Sequence, residues 1–362
     1  MRGHLDPQAS MFSYFSPEAR VPATHPLRSI KGYADAALKS LHGDFDALYA
    51  ASGRPSIPPE RLLKASLLIA LYSVRSDRLF CEMLDYNILF RWFLDMNLEE
   101  RGLDQSNFSR LRERLVASDV ACRFFDAVVR EARRLNLLSD EHFTVDGTLI
   151  EAWASTAKSL RRKDGPPDAG GPDDRGMVNI RGERRSNATH TSATDPEAKL
   201  MRKGKGKESK LSYGGHALME NRHGLCVDLK VTSALQTEAE AAKAMLDRQR
   251  RKRVRPGTLG ADKGYHSKDF VAHLRRRKIA PHIAMIDGRK TLGLDGRTTR
   301  HAGYTLSQRK RKRVEEIFGW MKAYGGLRRT LARGLDRVQL HAYLVGTAYN
   351  LLRLSRLQPL TG

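Results

Sequence analysis

Four acidic residues in the sequence have the settings that phosphodiester chemistry requires. Asp146 follows a β-branched run in "TVDGT", and Asp262 follows a second short run in "GADKGY". Glu315 and Glu316 stand side by side in "RVEEIFGWMK". Ligand sites of open α/β sheets gather at strand ends, so an aspartate that follows a strand is placed to point into such a site.

Carboxylates that converge at a sheet edge predict a site for hard divalent cations. Mg²⁺ prefers oxygen ligands and shares them with substrate phosphates, and Mn²⁺ can take its place. Two such ions activate a water molecule or a hydroxyl group and stabilise the leaving oxygen of a phosphodiester. They also offset the repulsion between protein carboxylates and DNA phosphates. We therefore expect two Mg²⁺ ions and no small-molecule cofactor.

Helix geometry separates the two glutamates. At about 100° per residue, the apolar residues of the segment 314–321 form one stripe along the helix. Glu316 falls about 150° from the centre of that stripe, toward solvent, whereas Glu315 falls roughly 110° from it, on the flank. Arg311 and Lys322 share the side of Glu315. The pattern predicts Glu315 as the third metal ligand, and it predicts Glu316 as a surface residue in ion pairs.

Residues 58–138 are predicted to be all-helical. The predicted helices span 58–74, 79–96, 104–119 and 121–138. They form either a plain helical bundle or one that includes a helix-turn-helix DNA reader. Residues 1–55 are mixed in character, with several prolines, and are predicted to be an N-terminal extension.

From residue 141 the pattern changes to strands alternating with helices. Strands are predicted at 141–153, 212–221, 225–234, 258–265 and 280–285, and helices at 237–253, 267–278, 306–323 and 336–357. The helix at 237–253 carries acids at its front and bases at its back, as the helix dipole favours. The order predicts an α/β fold with a mixed sheet and helices on its faces.

The same pattern divides the chain into regions. The predicted regions are an N-terminal extension (1–55), a helical DNA-binding or dimerisation domain (56–139), a catalytic core (140–335) and a C-terminal helix packed on that core (336–362). Within the core, residues 159–210 are polar, basic and rich in glycine and proline. Such a segment predicts a long loop or a partly disordered insertion, because it holds few residues that can pack a core.

The charge of the chain indicates a polyanionic partner. Lys plus Arg number 64 against 41 Asp plus Glu, a formal net charge of +23. A surplus of this size is typical of nucleic-acid binding, although a merely soluble basic protein is the alternative. The bases cluster at 161–163, 203–210, 248–255, 275–278 and 308–313, a distribution that suits contact with a phosphate backbone.

Individual DNA contacts are predicted around the acids and in the basic insertion. The candidates are Arg311, Lys322, Lys263, Tyr265, His266, Lys203, Lys205 and Lys207. Tyr265 and His266 either contact DNA near the scissile phosphate or pack within their loop. The lysines of the insertion either bind the backbone or belong to a solvated loop.

The cysteines and the apolar segments indicate a cytoplasmic protein without a membrane anchor. Cys81, Cys122 and Cys226 are isolated, which predicts neither a disulfide framework nor a zinc ribbon and fits a reducing compartment. The N-terminus lacks the apolar run of a signal peptide. The apolar stretch at 340–352 is too short to cross a bilayer and is predicted to be a buried helix.

The acidic residues and the bases around them resemble those of a known protein family. The order Asp146, Asp262, Glu315 resembles the DDE triad of bacterial insertion-sequence transposases. Arg311, Glu315 and Lys322 match the signature of the insertion-sequence-four and -five groups, which reads Tyr, two residues, Arg, three residues, Glu, six residues, Lys. Gln308 stands where that signature has tyrosine. The helical stretch 54–116 is similar to the N-terminal domain common in the insertion-sequence-five group.

The resemblance implies a fold and an activity. It implies a ribonuclease H-like core with two Mg²⁺ ions held by Asp146, Asp262 and Glu315. It also implies a homodimer on double-stranded DNA, in the bacterial cytoplasm at the nucleoid. Such an enzyme binds transposon terminal inverted repeats, cleaves the ends and joins the 3′-hydroxyl to target DNA. The alternatives are a DDE-type nuclease that no longer transposes and a non-catalytic basic DNA-binding protein.

Overall fold

The computed structural model of the chain describes residues 16–46, 56–163, 177–180, 182–204, 206–286 and 294–360. Before residue 140 these residues form helices only. The helices are α1 (Pro17–Arg20), α2 (Pro26–Lys39), α3 (His42–Asp46), α4 (Pro59–Leu71), α5 (Asp77–Tyr86), α6 (Ile88–Phe93), α7 (Gln105–Ala117) and α8 (Val120–Arg134). The prediction of an all-helical N-terminal region is confirmed.

Strands and helices alternate in the rest of the chain. The strands are β1 (His142–Ala152), β2 (Leu160–Arg162), β3 (Met177–Ile180), β4 (Glu183–Ser186), β5 (His190–Ser192), β6 (Lys199–Met201), β7 (Lys210–Glu220), β8 (Leu225–Ser233), β9 (Thr258–Ala261), β10 (Ala280–Ile283) and β11 (Arg329–Thr330). The helices are α9 (Thr156–Ser159), α10 (Glu238–Arg251), α11 (Lys268–Arg276), α12 (Gly296–Thr299), α13 (Ala302–Lys310), α14 (Val314–Ala323) and α15 (Leu335–Leu357). The predicted α/β class is therefore confirmed.

The main sheet is mixed. Its central path runs in the order β10, β9, β1, β7, with β6 and β8 both paired to β7 and β11 paired to the end of β1. β1, β7 and β8 form an antiparallel meander, whereas β9 and β10 run parallel to β1. The sheet thus has three antiparallel strands (β1, β7, β8) and two strands (β9, β10) that run parallel to β1 on its other side. This arrangement is that of a ribonuclease H-like core, as expected.

Helices cover both faces of the sheet and bury two apolar clusters. One cluster joins the N-terminal helices, α14 and α15 to one face of the sheet. The other joins α10 and α11 to the opposite face. α15 carries buried residues all around its middle, which confirms the predicted buried helix. The N-terminal helices thus share a core with the sheet, and the division at 139/140 stays a prediction. Among the described helices, none combines the length and apolarity needed to span a bilayer.

Two helix predictions need correction. The segment 79–96 is two helices rather than one, because Asn87 adopts an extended backbone and its side chain caps α6 by accepting from the N–H of Phe90. The N-terminal extension also contains regular structure. α2 begins at Pro26, a residue whose fixed φ suits the first helical position, and it buries Ile30, Tyr33 and Leu38 in the common core.

The described residues of the insertion at 159–210 are more ordered than its composition predicts. Among them, β2 pairs with β5, β3 pairs with β4, and β6 joins the main sheet. Leu160 and Leu200 pack into the main apolar cluster, and hydrogen bonds between polar side chains add to that packing. The buried carboxylate of Asp195 accepts from the hydroxyl of Tyr213 at 2.6 Å, and Ser192 Oγ donates to Ser159 Oγ at 3.0 Å.

Candidate active site

The sheet brings Asp146 and Asp262 together, as the sequence predicts. β1 and β9 are parallel neighbours in which Thr144 pairs with Gly260. Continuing that register by two residues places Asp146 level with Asp262, which follows the last residue of β9. Backbone amides orient both carboxylates: Gly147 N–H donates to Asp146 Oδ1 and Gly264 N–H donates to Asp262 Oδ1, each at 2.8 Å.

A third carboxylate in this cluster comes from Glu238. Carboxylate oxygens of Asp146, Glu238 and Asp262 all lie within 4.8 Å of one another, and all three residues are half-buried. Glu238 is the first residue of α10, which is capped by Thr237 in a capping box with Glu240. The cap directs the start of the helix toward the strand ends, and the helix N-terminus favours a negative charge there.

Two glycines leave the space that the Glu238 side chain occupies. A Cβ atom added to Gly147 would lie 2.7 Å from Glu238 Oε1. A Cβ atom at Gly264 would lie 3.0 Å from Asp262 Oδ1 and 3.4 Å from Glu238 Oε2. A side chain at either position would crowd the carboxylates. The glycines that follow the two aspartates, Gly147 and Gly264, therefore leave room for the cluster.

The electrostatics of the cluster fit a divalent cation. Burial, together with the charges of Asp262 and Glu315, raises the pKa of Asp146 to about 6 against the opposing effects of Gly147 N–H and Arg311. Like charges held this close to one another require a cation or a proton. Three carboxylates are an oxygen donor set that suits Mg²⁺ or Mn²⁺. The residues present therefore fit a divalent metal ion.

Glu315 lies beside this cluster and outside its 4.8 Å limit. It is exposed at the start of α14, and its charge contributes to the raised pKa of Asp146. A metal-binding role for Glu315 stays a prediction. Glu316 makes surface ion pairs with Arg313 and Arg353, as predicted. The apolar stripe that separates the two glutamates is buried as expected.

Sequence comparison with protein families identifies the chain. Residues 140–351, more than half of the 362 residues, match the family described as "Transposase DDE domain". The chain belongs to the DDE transposases. Residues 15–114 also match a family described as "Transposase domain (DUF772)". A comparison with curated proteins finds no match.

Solved transposase structures are similar to this transposase over most of its length. One is the piggyBac transposase synaptic complex with hairpin DNA, with 10% identity, a TM-score of 0.41, and 93% of this chain and 77% of that chain covered. Another is a pre-cleavage Mos1 transpososome, with 10% identity, a TM-score of 0.21, and 84% and 82% covered. The family assignment rests on the sequence match. The transposase is a metal-dependent enzyme that cleaves DNA.

Sequence reasoning missed the place of Glu238 in the metal cluster of the transposase. The dipole of the helix at 237–253 is enough to explain an acid at this position, so the sequence does not single out Glu238. A signal was present in the order of elements: Glu238 opens the helix that follows the third strand of the meander, and that helix must return across the sheet toward β1.

The predicted basic contacts lie around the cluster. Lys322 Nζ donates to Thr148 Oγ1 at 2.5 Å, two residues beyond Asp146 and therefore on the same face of β1. Burial lowers the pKa of Lys322, and the neighbouring charges of Lys203 and Arg328 lower it further. Lys203 is thus close enough to Lys322 for their charges to interact, and a DNA contact for each stays a prediction.

The remaining predicted basic contacts are less constrained by the structure. Lys207 is exposed in the segment before β7, and Lys263 is exposed in the 3₁₀ turn after Asp262. Lys205 lies outside the described residues. A DNA contact for each of these lysines stays a prediction.

Two predicted DNA contacts are corrected by their burial. Tyr265 is 0% exposed and packs against Phe270 with ring centroids 5.5 Å apart. His266 is 2% exposed, and its Nδ1 accepts from the N–H of Ile286 at 3.1 Å, which ties the turn to the end of β10. Both side chains face the protein interior because the turn after Asp262 folds back onto α11. They pack within the loop, which was the alternative.

The departure from the family signature at Gln308 has a structural explanation. Gln308 Nε2 donates to the carbonyl of His282, and the hydroxyl of Tyr304 donates to the carbonyl of Ile283 at 2.8 Å. Both side chains therefore attach α13 to β10. Tyr304 lies four residues before Gln308 on α13, so it is out of register with the signature. Its hydroxyl and the Gln308 side chain bind the carbonyls of neighbouring residues of β10.

Proposed function

We propose that this transposase binds the terminal inverted repeats of a mobile DNA element, cleaves its ends and joins the freed 3′-hydroxyl to target DNA. The carboxylate cluster formed by Asp146 within β1, Asp262 after β9 and Glu238 at the start of α10 supports this most directly, because it offers a metal site beside basic residues. Cleavage and joining are the same in-line displacement with different attacking oxygens, so one site serves both.

The metal site would be built around Asp146. Asp146, Asp262 and Glu238 would hold one ion, and Asp146 with Glu315 would hold a second. Mg²⁺ is the proposed physiological ion, with Mn²⁺ as a substitute. When bound, the ions would activate the attacking oxygen and stabilise the leaving oxygen. Arg311 is close enough for its charge to lower the pKa of Asp146, so it could contact a phosphate bound at this site.

The DNA would lie along the cationic side of the sheet. Lys322 and Lys203, close together beside Thr148, would contact its phosphates, and Lys263 and Lys207 would extend that contact. Residues 56–139 would act as the DNA-binding or dimerisation region of a homodimer on paired ends. We place the chain in the insertion-sequence-five group of bacterial transposases, on the match of its N-terminal region and its Arg311–Glu315–Lys322 spacing.

A cleavage and joining assay tests the proposal. The purified protein is incubated with Mg²⁺ or Mn²⁺ and a duplex that carries the inverted repeats flanking its gene. We expect nicked ends and products joined to a target plasmid. Asp262→Asn, Glu238→Gln and Glu315→Gln should each lower the cleavage rate by at least about 100-fold, the scale on which electrostatic stabilisation of a transition state acts. Glu316→Gln is the matched control and should cut at nearly the wild-type rate.

Each failure of the assay has a distinct meaning. Cleavage without joined products would indicate a nuclease that no longer transposes. Salt-dependent DNA binding without cleavage would indicate a binding protein. Full activity of Glu315→Gln with loss of activity in Glu238→Gln would show that the sequence-based assignment of Glu315 is wrong.

A further inference from the structure

The hydroxyl group of Tyr265 is buried beside the carboxylate cluster and has no hydrogen-bond partner among the described residues. The side chain is 0% exposed. Burial raises the pKa of Tyr265 well above its usual range, and the nearby charges of Glu238, Asp146 and Asp262 raise it further. The turn that carries the phenol lies against two of these carboxylates, because a Cβ atom at the neighbouring Gly264 would be 3.0 Å from Asp262 Oδ1 and 3.4 Å from Glu238 Oε2.

The backbone fixes the position of this phenol. Tyr265 ends the 3₁₀ turn Lys263–Tyr265, which the carboxylate of Asp262 caps by accepting from Gly264 N–H. The N–H of Ser267, the residue that caps α11, donates to the carbonyl of Tyr265 at 2.8 Å. One face of the ring packs against Phe270. The turn that carries Tyr265 is thus held by Asp262 at its start and by the capping residue of α11 at its end.

Packing alone does not explain a hydroxyl group at this position. Buried polar groups nearly always have a hydrogen-bond partner, and a buried hydroxyl without one destabilises the fold. A phenylalanine would fill the same space in the apolar cluster of α10 and α11 without that penalty. The nearby carboxylates can only accept hydrogen bonds when ionised, and a phenol can donate one. The hydroxyl is therefore expected to gain a hydrogen-bond partner when a cation is bound and the carboxylates are arranged around it.

We propose that Tyr265 is a positioning residue of the metal site, whose hydroxyl donates a hydrogen bond into the ligand set of a divalent cation held by Asp146, Asp262 and Glu238. The acceptor is a carboxylate oxygen or a water molecule of that ligand set. The inference rests on the proposed metal site. It goes beyond that site by assigning a buried residue that holds the carboxylates in their cation-binding arrangement.

Metal-dependent thermal unfolding separates this role from a packing role. The wild-type protein should unfold at a higher temperature with Mn²⁺ than with a chelator, and Asp146→Asn should lose that shift. Tyr265→Phe should be as stable as wild type, or more stable, with the chelator. Its Mn²⁺ affinity should be about 10- to 100-fold weaker, the usual effect of removing an outer hydrogen bond from a metal site.

Tyr349→Phe is the matched control. Tyr349 is also buried, but its hydroxyl donates to the carbonyl of Gly224 at 3.0 Å, far along the chain from the carboxylates. This variant should lose stability with the chelator and keep the wild-type Mn²⁺ affinity. A Tyr265→Phe protein that behaves in the same way would overturn the proposal, because its hydroxyl would then have a structural partner.

Terbium luminescence adds a measurement on the folded protein. Tb³⁺ binds oxygen ligands as Mg²⁺ and Ca²⁺ do, and a tyrosine near it transfers excitation energy to it. Emission excited through tyrosine should fall strongly in Tyr265→Phe and stay unchanged in Tyr349→Phe. Equal emission from Tyr265→Phe and wild type would overturn the proposal. Absence of any Mn²⁺ or Tb³⁺ binding to the wild-type protein would instead reject the metal site on which the proposed function depends.

Discussion

Replacing Asp146 with asparagine should stabilise the metal-free protein while it abolishes catalysis. The carboxylate of Asp146 is half-buried and stands beside Asp262, Glu238 and Glu315, so its charge is unfavourable when no cation is present. Asparagine keeps an oxygen that can accept from Gly147 N–H and removes the charge. The residue is thus expected to oppose folding in the metal-free protein and to be required for activity.

The magnitude follows from the pKa of Asp146. Its native pKa is about 6, against an ordinary value of 3.8. One pKa unit corresponds to about 1.4 kcal/mol, so the upper limit of the effect is ~3 kcal/mol at a pH well above 6. Partial exposure and relaxation of the site reduce this value, and we expect about 1–3 kcal/mol.

The sign of the pH dependence is also determined. A carboxyl with a raised native pKa holds its proton to a higher pH in the folded state than in the unfolded state. Its contribution to stability is therefore fully present below about pH 4 and is lost as the pH rises through about 6. The difference between Asp146→Asn and wild type should appear above about pH 6 and vanish toward about pH 4.

Urea unfolding in the presence of a chelator measures this difference at several pH values. Asp228→Asn is the control of opposite sign, because the buried carboxylate of Asp228 accepts from Arg248 and Gln249. Breaking that pair should lower the free energy of unfolding by about 3–5 kcal/mol. If metal-free Asp146→Asn is no more stable than wild type at about pH 8, burial of the Asp146 charge and its repulsion by the neighbouring acids do not destabilise the protein.

Three further predictions concern the surroundings of the cluster. Glu238→Gln should weaken Mn²⁺ binding by about 10- to 100-fold in a thermal-shift titration, because it removes one of three ligands; unchanged affinity would exclude Glu238 from the site. Gly147→Ala should also weaken Mn²⁺ binding, since its Cβ would lie 2.7 Å from Glu238 Oε1, and its stability with a chelator should change little; wild-type affinity would show that the contact relaxes. Lys322→Met should lower the slope of log affinity against log salt concentration by about 1, because one phosphate contact is lost. Fluorescence anisotropy of DNA binding measures this slope, and a slope equal to that of the wild type would contradict the prediction.

Local patterns in the sequence were sufficient for the elements and for two of the site residues. Strand and helix periods depend on neighbouring residues, so β1, β7, β8, α10 and α15 were predicted near their observed positions. The apolar stripe of α14 separated Glu315 from Glu316 by the same local argument. The sequence placed Asp146 and Asp262 together because each comes after a β-branched run that was predicted to end there. Asp262 does follow β9, whereas Asp146 lies within β1, which continues to Ala152.

Contacts between distant segments could not be read from local patterns. The short strands within 159–210 depend on partners such as Tyr213 for Asp195, which lie outside the segment. The burial of α2 depends on the common core that it shares with α15 near the other end of the chain. Neither feature has a periodic signal as strong as that of the main strands.

The sequence by itself therefore determined the class of the fold, the basic surface and two aspartates of the site. Tertiary structure alone decided that Glu238 joins them and that Tyr265 is buried. The physical reason is that both depend on how segments far apart in the chain approach each other. Glu238 reaches the cluster because α10 returns across the sheet and two glycines leave it space, and Tyr265 is buried because its turn folds onto α11.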